Sequence, residues 1–156
     1  MDFKELIEKF AAEAGMTEPV RFDEDGVCHL DIEDMDVGFM DVPERSQMVV
    51  WTAICHCPAE GGEALMRQLL KANFIGRGMA DGALSLSDDD DIYAHFHFHL
   101  PEFEPVNFYR ALRTFLDTVW EWRTLIENYR RLDDAVKTVR ATRPPEDARE
   151  EIRIEG

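Results

Sequence analysis

The chain has 156 residues, 45% of them apolar and 32% charged, and 33 acidic against 17 basic side chains give a net charge of −16. One ordinary domain with its own core fits that length, while collagen-like repeats and wholesale disorder do not fit that composition. Such a negative field opposes phosphate backbones and anionic lipid heads, so neither nucleic acid nor a membrane surface is expected as a partner.

The amino terminus reads as an amphipathic helix of about three turns. Phe3, Leu6, Ile7, Phe10, Ala11 and Ala14 recur at helical spacing, and Gly15 and Pro19 mark its end. The start, Met1-Asp2-Phe3-Lys4-Glu5, lacks the basic-then-apolar layout of a signal peptide. With three cysteines (Cys28, Cys55, Cys57), this sets the cytoplasm as the expected compartment.

From residue 20 the period changes to two. Val27, His29 and Asp31 alternate with Cys28, Leu30 and Ile32, and Glu33-Asp34 turns the chain into Met35–Val42. Pro43-Glu44-Arg45-Ser46 is a second turn before the β-rich run Gln47–Cys57. Short turns leave no room for crossovers, so these three strands form an antiparallel meander. Pro58 ends the third strand, and Gly61-Gly62 opens a helix built on Ala64, Leu65, Leu69, Leu70 and Ala72. The glycine-bearing loop 76–82 leads to a hairpin, Ala83–Ser87 and Ile92–Leu100, tipped by Asp88–Asp91. Pro101 and Pro105 bracket a connection to the longest helix, whose Phe108, Leu112, Phe115, Val119, Trp122, Ile126 and Tyr129 step alternately by 4 and 3. That seam suits a coiled coil or packing on a sheet. Residues 1–140 are expected to form a single domain, with 141–156 a charged tail after the break at Arg143-Pro144-Pro145. The order α-β-β-β-α-β-β-α groups its strands, which predicts an α+β fold with a twisted antiparallel sheet of about five strands and three helices.

Charge is uneven along the chain. Residues 1–104 hold 7 basic and 23 acidic side chains, whereas residues 105–156 hold 10 of each. Strong negative charge keeps a protein soluble while it displays apolar surface.

Chemistry-bearing patterns are sparse. His95, His97 and His99 alternate with Phe96 and Phe98, which puts three imidazoles on one side of a strand about 6.7 Å apart. Adjacent pairs have the spacing to share a metal, with Cys28, Cys55, Cys57, His29 or His56 as further ligands. The plainer reading is the solvent- or partner-facing side of a half-buried strand, where imidazoles would make binding sensitive to pH. Asp88–Asp91 lacks the alternation, glycine and distal glutamate of a calcium loop. Gly76, Gly78 and Gly82 follow a helix and precede a strand, the reverse of a dinucleotide fingerprint. The serines, Ser46, Ser85 and Ser87, include no Gly-x-Ser-x-Gly. No enzyme, cofactor or metal is therefore expected.

The stretch 69–123 reads Leu69-Leu70-Lys71-Ala72-Asn73-Phe74, then Gly82-Ala83-Leu84-Ser85-Leu86, then Leu100-Pro101, then Phe108, Leu112, Phe115 and Trp122-Arg123. In order and spacing this resembles the class I type III secretion chaperones, the Tir chaperone family. The resemblance covers residues 1–130 and implies an ATP-independent homodimer. Such a dimer binds the amino-terminal segment of a secreted effector in extended form and keeps it soluble and ready for export. It implies effector contacts on the first helix and the amino-terminal strands, here Phe3, Ile7, Phe10, Leu30, Ile32, Val37 and Phe39. It implies dimer contacts on the second helix, here Leu65, Leu69 and Leu70. Each of these also suits an ordinary core position, since every amphipathic element buries one face. The histidine strand and the 33 residues after Arg123 depart from the family pattern, and the extension is a candidate for altering dimer geometry or touching secretion apparatus components. The competing readings are a metal-binding protein built on His95, His97 and His99 and a small α+β adaptor for folded partners.

Overall fold

A computed structural model describes residues 2–74, 78–79, 82–99 and 104–142, with side chains through 131. Three helices and five strands follow in the order α1 (Phe3–Glu13), β1 (Val27–Ile32), β2 (Met35–Val42), β3 (Gln47–His56), α2 (Gly62–Ala72), β4 (Ala83–Leu86), β5 (Asp91–His99) and α3 (Pro105–Thr142), with one turn of 3₁₀ helix at Pro43–Arg45. This is the α+β order expected from the sequence. Most of the loop 75–81, the connection 100–103 and the tail from 143 lie outside the described residues. By compactness the chain divides into Met1–Arg123 and Thr124–Gly156.

Local chemistry sets the boundaries. The Asp2 carboxylate accepts the Glu5 N–H at 2.9 Å while the Glu5 carboxylate accepts the Asp2 N–H at 3.2 Å, a reciprocal cap that starts α1. Gly15, at φ +75°, ends the helix, with Met16 N–H donating to the Ala11 carbonyl and Gly15 N–H to that of Ala12. Glu33 and Asp34 both have positive φ, 51° and 62°, the two-residue turn whose twist matches a right-handed hairpin.

The sheet runs β1-β2-β3-β5-β4, and every neighbouring pair is antiparallel. Alternation then decides the layers. Val37, Phe39, Met48, Val50, Ile92, Ala94 and Phe98 are fully or almost fully buried on one face, together with Ile7, Phe108, Leu112, Phe115 and Val119 from the helices. The first part of the 4-3 seam of α3 thus packs on the sheet: Phe108 meets Phe98 at 5.3 Å between ring centroids, and Phe115 meets Phe96 at 6.2 Å. Phe10 of α1 meets Phe108 at 5.8 Å. Thr52 is the one buried polar residue among those described, and its hydroxyl donates to the Asp36 carbonyl at 2.8 Å.

Candidate functional site

The outer edge of β4 is closed by a side chain. The Asn73 carboxamide, just past α2, donates to the Leu84 carbonyl at 2.9 Å and accepts the Leu84 N–H at 2.8 Å. An amide group thus stands in for the next strand, which blunts the edge against indiscriminate pairing. These bonds also bring the end of α2 beside β4, and three large apolar side chains on these two stretches are exposed: Leu70 (71%), Phe74 (63%) and Leu86 (45%). Leu65 and Leu69, on the inner side of α2, are buried within the chain itself.

The far end of the family-like pattern is structural. Trp122 donates its indole N–H to the Gly78 carbonyl at 2.8 Å, which ties α3 to the chain just beyond α2. Between Ala53 and Cys55 the pairing of β3 with β5 slips, and Arg123 donates to the Ala53 carbonyl at that bulge at 2.7 Å. Trp122-Arg123 therefore supplies donors to two backbone carbonyls outside regular pairing.

At the opposite edge β1 is only partly covered. Phe22 bridges to Cys28, and Asp23 N–H donates to the Val27 carbonyl at 2.9 Å. Beyond that point no strand pairs with the outer side of Leu30–Ile32 among the described residues. A groove of about 440 Å³ lies there, lined by Met16–Arg21 on one side and His29–Asp31 on the other. Its charged lining residues are Glu18, Asp31 and Arg21, with His29 beside them.

The second face of the sheet carries Val27, Met40, Val49, Trp51, Tyr93 and His95, all half-buried. Trp51 lies across Gly38 on the neighbouring strand, where an added Cβ would sit 2.3 Å from the indole. The same indole meets His29 edge-on at 5.7 Å. His95 stands opposite Trp51, 5.6 Å from His97 between ring centroids. Burial foremost, then the neighbouring His97, lowers the His95 pKa below the usual imidazole value. His29 and His56 hydrogen-bond Asp36 and Asp91 through Nδ1, at 3.0 and 2.9 Å.

Of the effector-contact candidates named from the sequence, Phe3, Ile7, Leu30, Val37 and Phe39 are buried in this chain, while Phe10 and Ile32 retain accessible surface. Sequence patterning did not single out Trp51, Phe74 or Leu86 as surface features; the signal for Phe74 was its place just outside the helical run. Among the described residues no three His, Cys, Asp or Glu side chains gather to hold a metal ion. Cys28 explains part of this: it belongs to the buried face, opposite the histidines, and burial raises its thiol pKa to about 11. No helix among the described residues is long and apolar enough to cross a membrane.

A five-stranded antiparallel sheet with helices packed on its buried face defines an α+β fold. The sequence model of the Tir chaperone protein (CesT) family matches residues 5–123, and the chain belongs to that family. The fold agrees with solved structures. The ExsC–ExsE complex gives a TM-score of 0.68 at 20% identity, covering 80% of this chain and 96% of that one. The HopA1–SchA chaperone–effector complex gives 0.62 at 17%, covering 78% and 93%. The Yersinia pestis type III secretion chaperone SycH with a fragment of YscM2 gives 0.60 at 17%, covering 77% and 98%. No curated protein matches the chain.

Proposed function

We propose that this protein is a non-enzymatic, homodimeric, cytoplasmic chaperone. It holds the amino-terminal segment of a type III secretion effector in extended form and so keeps it soluble and export-competent. The observation that carries the reading is the incompletely paired edge of β1 beside an open groove, in a chain of this family. An extended client adds as a strand along Leu30–Ile32, gaining main-chain hydrogen bonds that no fixed sequence is needed to supply. Its alternate side chains enter the groove next to Leu30. Phe10 and Ile32 offer contact from the accessible layer, and Phe3, Ile7, Val37 and Phe39 support it from beneath. The net charge of −16 favours client segments with basic residues and keeps the loaded complex dispersed.

Dimerisation uses the other edge. Leu70, Phe74 and Leu86, exposed at the end of α2 and on β4, offer apolar contact to a second copy, while Leu65 and Leu69 anchor α2 from its buried side. Secretion apparatus components are the further partners this reading implies.

Co-expression with amino-terminal fragments of candidate effectors tests the client half. A soluble complex in which the fragment is protected from protease, while the free fragment is degraded, is the expected result. Light scattering of the wild type and of the L70E/F74E variant tests the dimer half. A wild type that stays monomeric at micromolar concentration refutes it.

A further inference from the structure

All 5 histidines of the chain lie on the second, half-buried face of the sheet. His29 stands opposite Gly38, Gly38 opposite Trp51 and Trp51 opposite His95; His97 and His99 follow along β5, and His56 stands opposite Asp91. The same registers place Asp31, Asp36 and Asp91 on this face, and no lysine or arginine occurs in any of the five described strands. With neutral imidazoles its strand residues therefore carry −3, and with all imidazoles protonated they carry +2. Two of the three carboxylates already hold a histidine. His29 Nδ1 lies 3.0 Å from Asp36, and His56 Nδ1 lies 2.9 Å from Asp91. A neutral imidazole donates one N–H to an ionised carboxylate and leaves its charge in place, whereas an imidazolium cancels it. Both carboxylates remain open to a partner, with side-chain exposures of 76% for Asp36 and 40% for Asp91. Around His29 lie Trp51, Asp31 and, along the groove, Glu18 and Arg21; around His95 lie Tyr93, Ser85 and His97.

We propose that this face is a contact surface for a cationic segment of polypeptide, received by Asp36 and Asp91 and released on acidification when His29 and His56 become their counter-ions. Opposite charge selects the occupant, because the face offers carboxylates and no competing lysine or arginine. Size makes it a chain rather than a small cation. Asp36 and Asp91 sit two strands apart, roughly 10 Å across the sheet. Beside them Trp51, Tyr93 and Val49 give apolar residues of the same segment a seat. Acidification acts twice. It supplies Asp36 and Asp91 with internal cations, and it adds positive charge at His95, His97 and His99 next to that seat. The surface is distinct from the outer edge of β1 and does not rest on strand addition there.

NMR of the isotope-labelled full chain, titrated with the peptide Lys-Ser-Leu-Ser-Leu-Ser-Lys, tests the proposal. At about pH 7.5 the Trp51 indole and the amides of Asp36 and Asp91 should shift, and affinity should fall tenfold or more at about pH 5.5. Circular dichroism checks that the fold persists at both pH values and in each variant. D36N/D91N, which spares the Asp36 carbonyl that Thr52 uses, should bind at neutral pH only as weakly as the wild type does in acid. H29Q/H56Q should lose less affinity on acidification than the wild type. Absence of binding at neutral pH overturns the proposal, as does an affinity that is equal at the two pH values or unaltered in D36N/D91N. Shifts confined to Leu30–Ile32 overturn it as well, since they report addition at the β1 edge and uphold that separate reading. Tighter neutral-pH binding of the counterpart peptide with Glu in place of Lys overturns its choice of partner.

Discussion

Replacing Asn73 by alanine removes both hydrogen bonds that close the β4 edge, at 2.9 and 2.8 Å. Each is worth about 0.5–1.5 kcal/mol net, and the orphaned Leu84 groups are partly shielded from water, so the upper half of that range applies. The expected loss is about 2–3 kcal/mol, a fall in Tm of about 6–10 °C for a chain of this size. Urea unfolding followed by circular dichroism measures it, and a constant slope shows that the native surface is otherwise intact. Asn73→Asp sharpens the test. It keeps the acceptor for the Leu84 N–H but turns a carboxylate toward the Leu84 carbonyl, so at neutral pH it costs at least as much as alanine. Protonation near pH 4 restores a donor and recovers part of that loss. The unplugged strand also raises aggregation, measured by light scattering on warming. If N73A lies within 0.5 kcal/mol of the wild type, the side chain is not the closure of the edge and the structural role assigned to the Asn73 motif is wrong.

Three further outcomes follow from the same geometry. With its pKa raised from 9.0 to about 11, Cys28 holds about a hundredth of the thiolate of an ordinary cysteine near pH 8. Mass spectrometry after brief iodoacetamide treatment should find Cys55 and Cys57 labelled well ahead of Cys28, and equal labelling refutes its burial. His95 is held below its usual pKa by burial, so the unfolded chain takes up its proton first as pH falls. Its contribution is complete above about pH 6.5 and is lost progressively below it, a slope that H95Q removes from the pH dependence of unfolding. Gly38→Ala places a methyl 2.3 Å from the Trp51 ring, which forces the indole off the sheet. A loss of about 1–3 kcal/mol with red-shifted tryptophan emission is expected, and unchanged emission refutes the placement of Trp51.

The element order was legible because burial imposes a period. Alternation in β1, β3 and β5 and the 4-3 steps of Phe108–Val119 announce a strand or helix wherever one face is covered. Glu33-Asp34 was legible as a turn because short polar residues bounded two alternating runs. The surfaces were not legible in the same way. Periodicity marks Phe39 and Phe74 alike as large and apolar, yet one is wholly covered and the other 63% exposed. Only the third dimension separates them. Asn73 reaches Leu84 across eleven positions, and Trp51 fills the space over Gly38 from the next strand, contacts that no local spacing encodes.

The two sheet edges are managed by opposite physics. At β4 the backbone of Leu84 is satisfied by Asn73, so what remains attractive nearby is exposed apolar surface, Leu70, Phe74 and Leu86, suited to side-chain packing. At β1 no strand among the described residues pairs with the outer side of Leu30–Ile32, and the carboxylates nearby, Glu18, Asp31, Asp34 and the Arg113-paired Glu33, outnumber Arg21. Two copies meeting edge to edge at β1 would bring those carboxylates together, which opposes the strand pairing that an open edge otherwise invites. A neutral or basic client strand meets no such opposition. On the proposed reading, charge therefore separates self from client at the β1 edge, and the acidity of the chain would contribute to selectivity as well as to solubility.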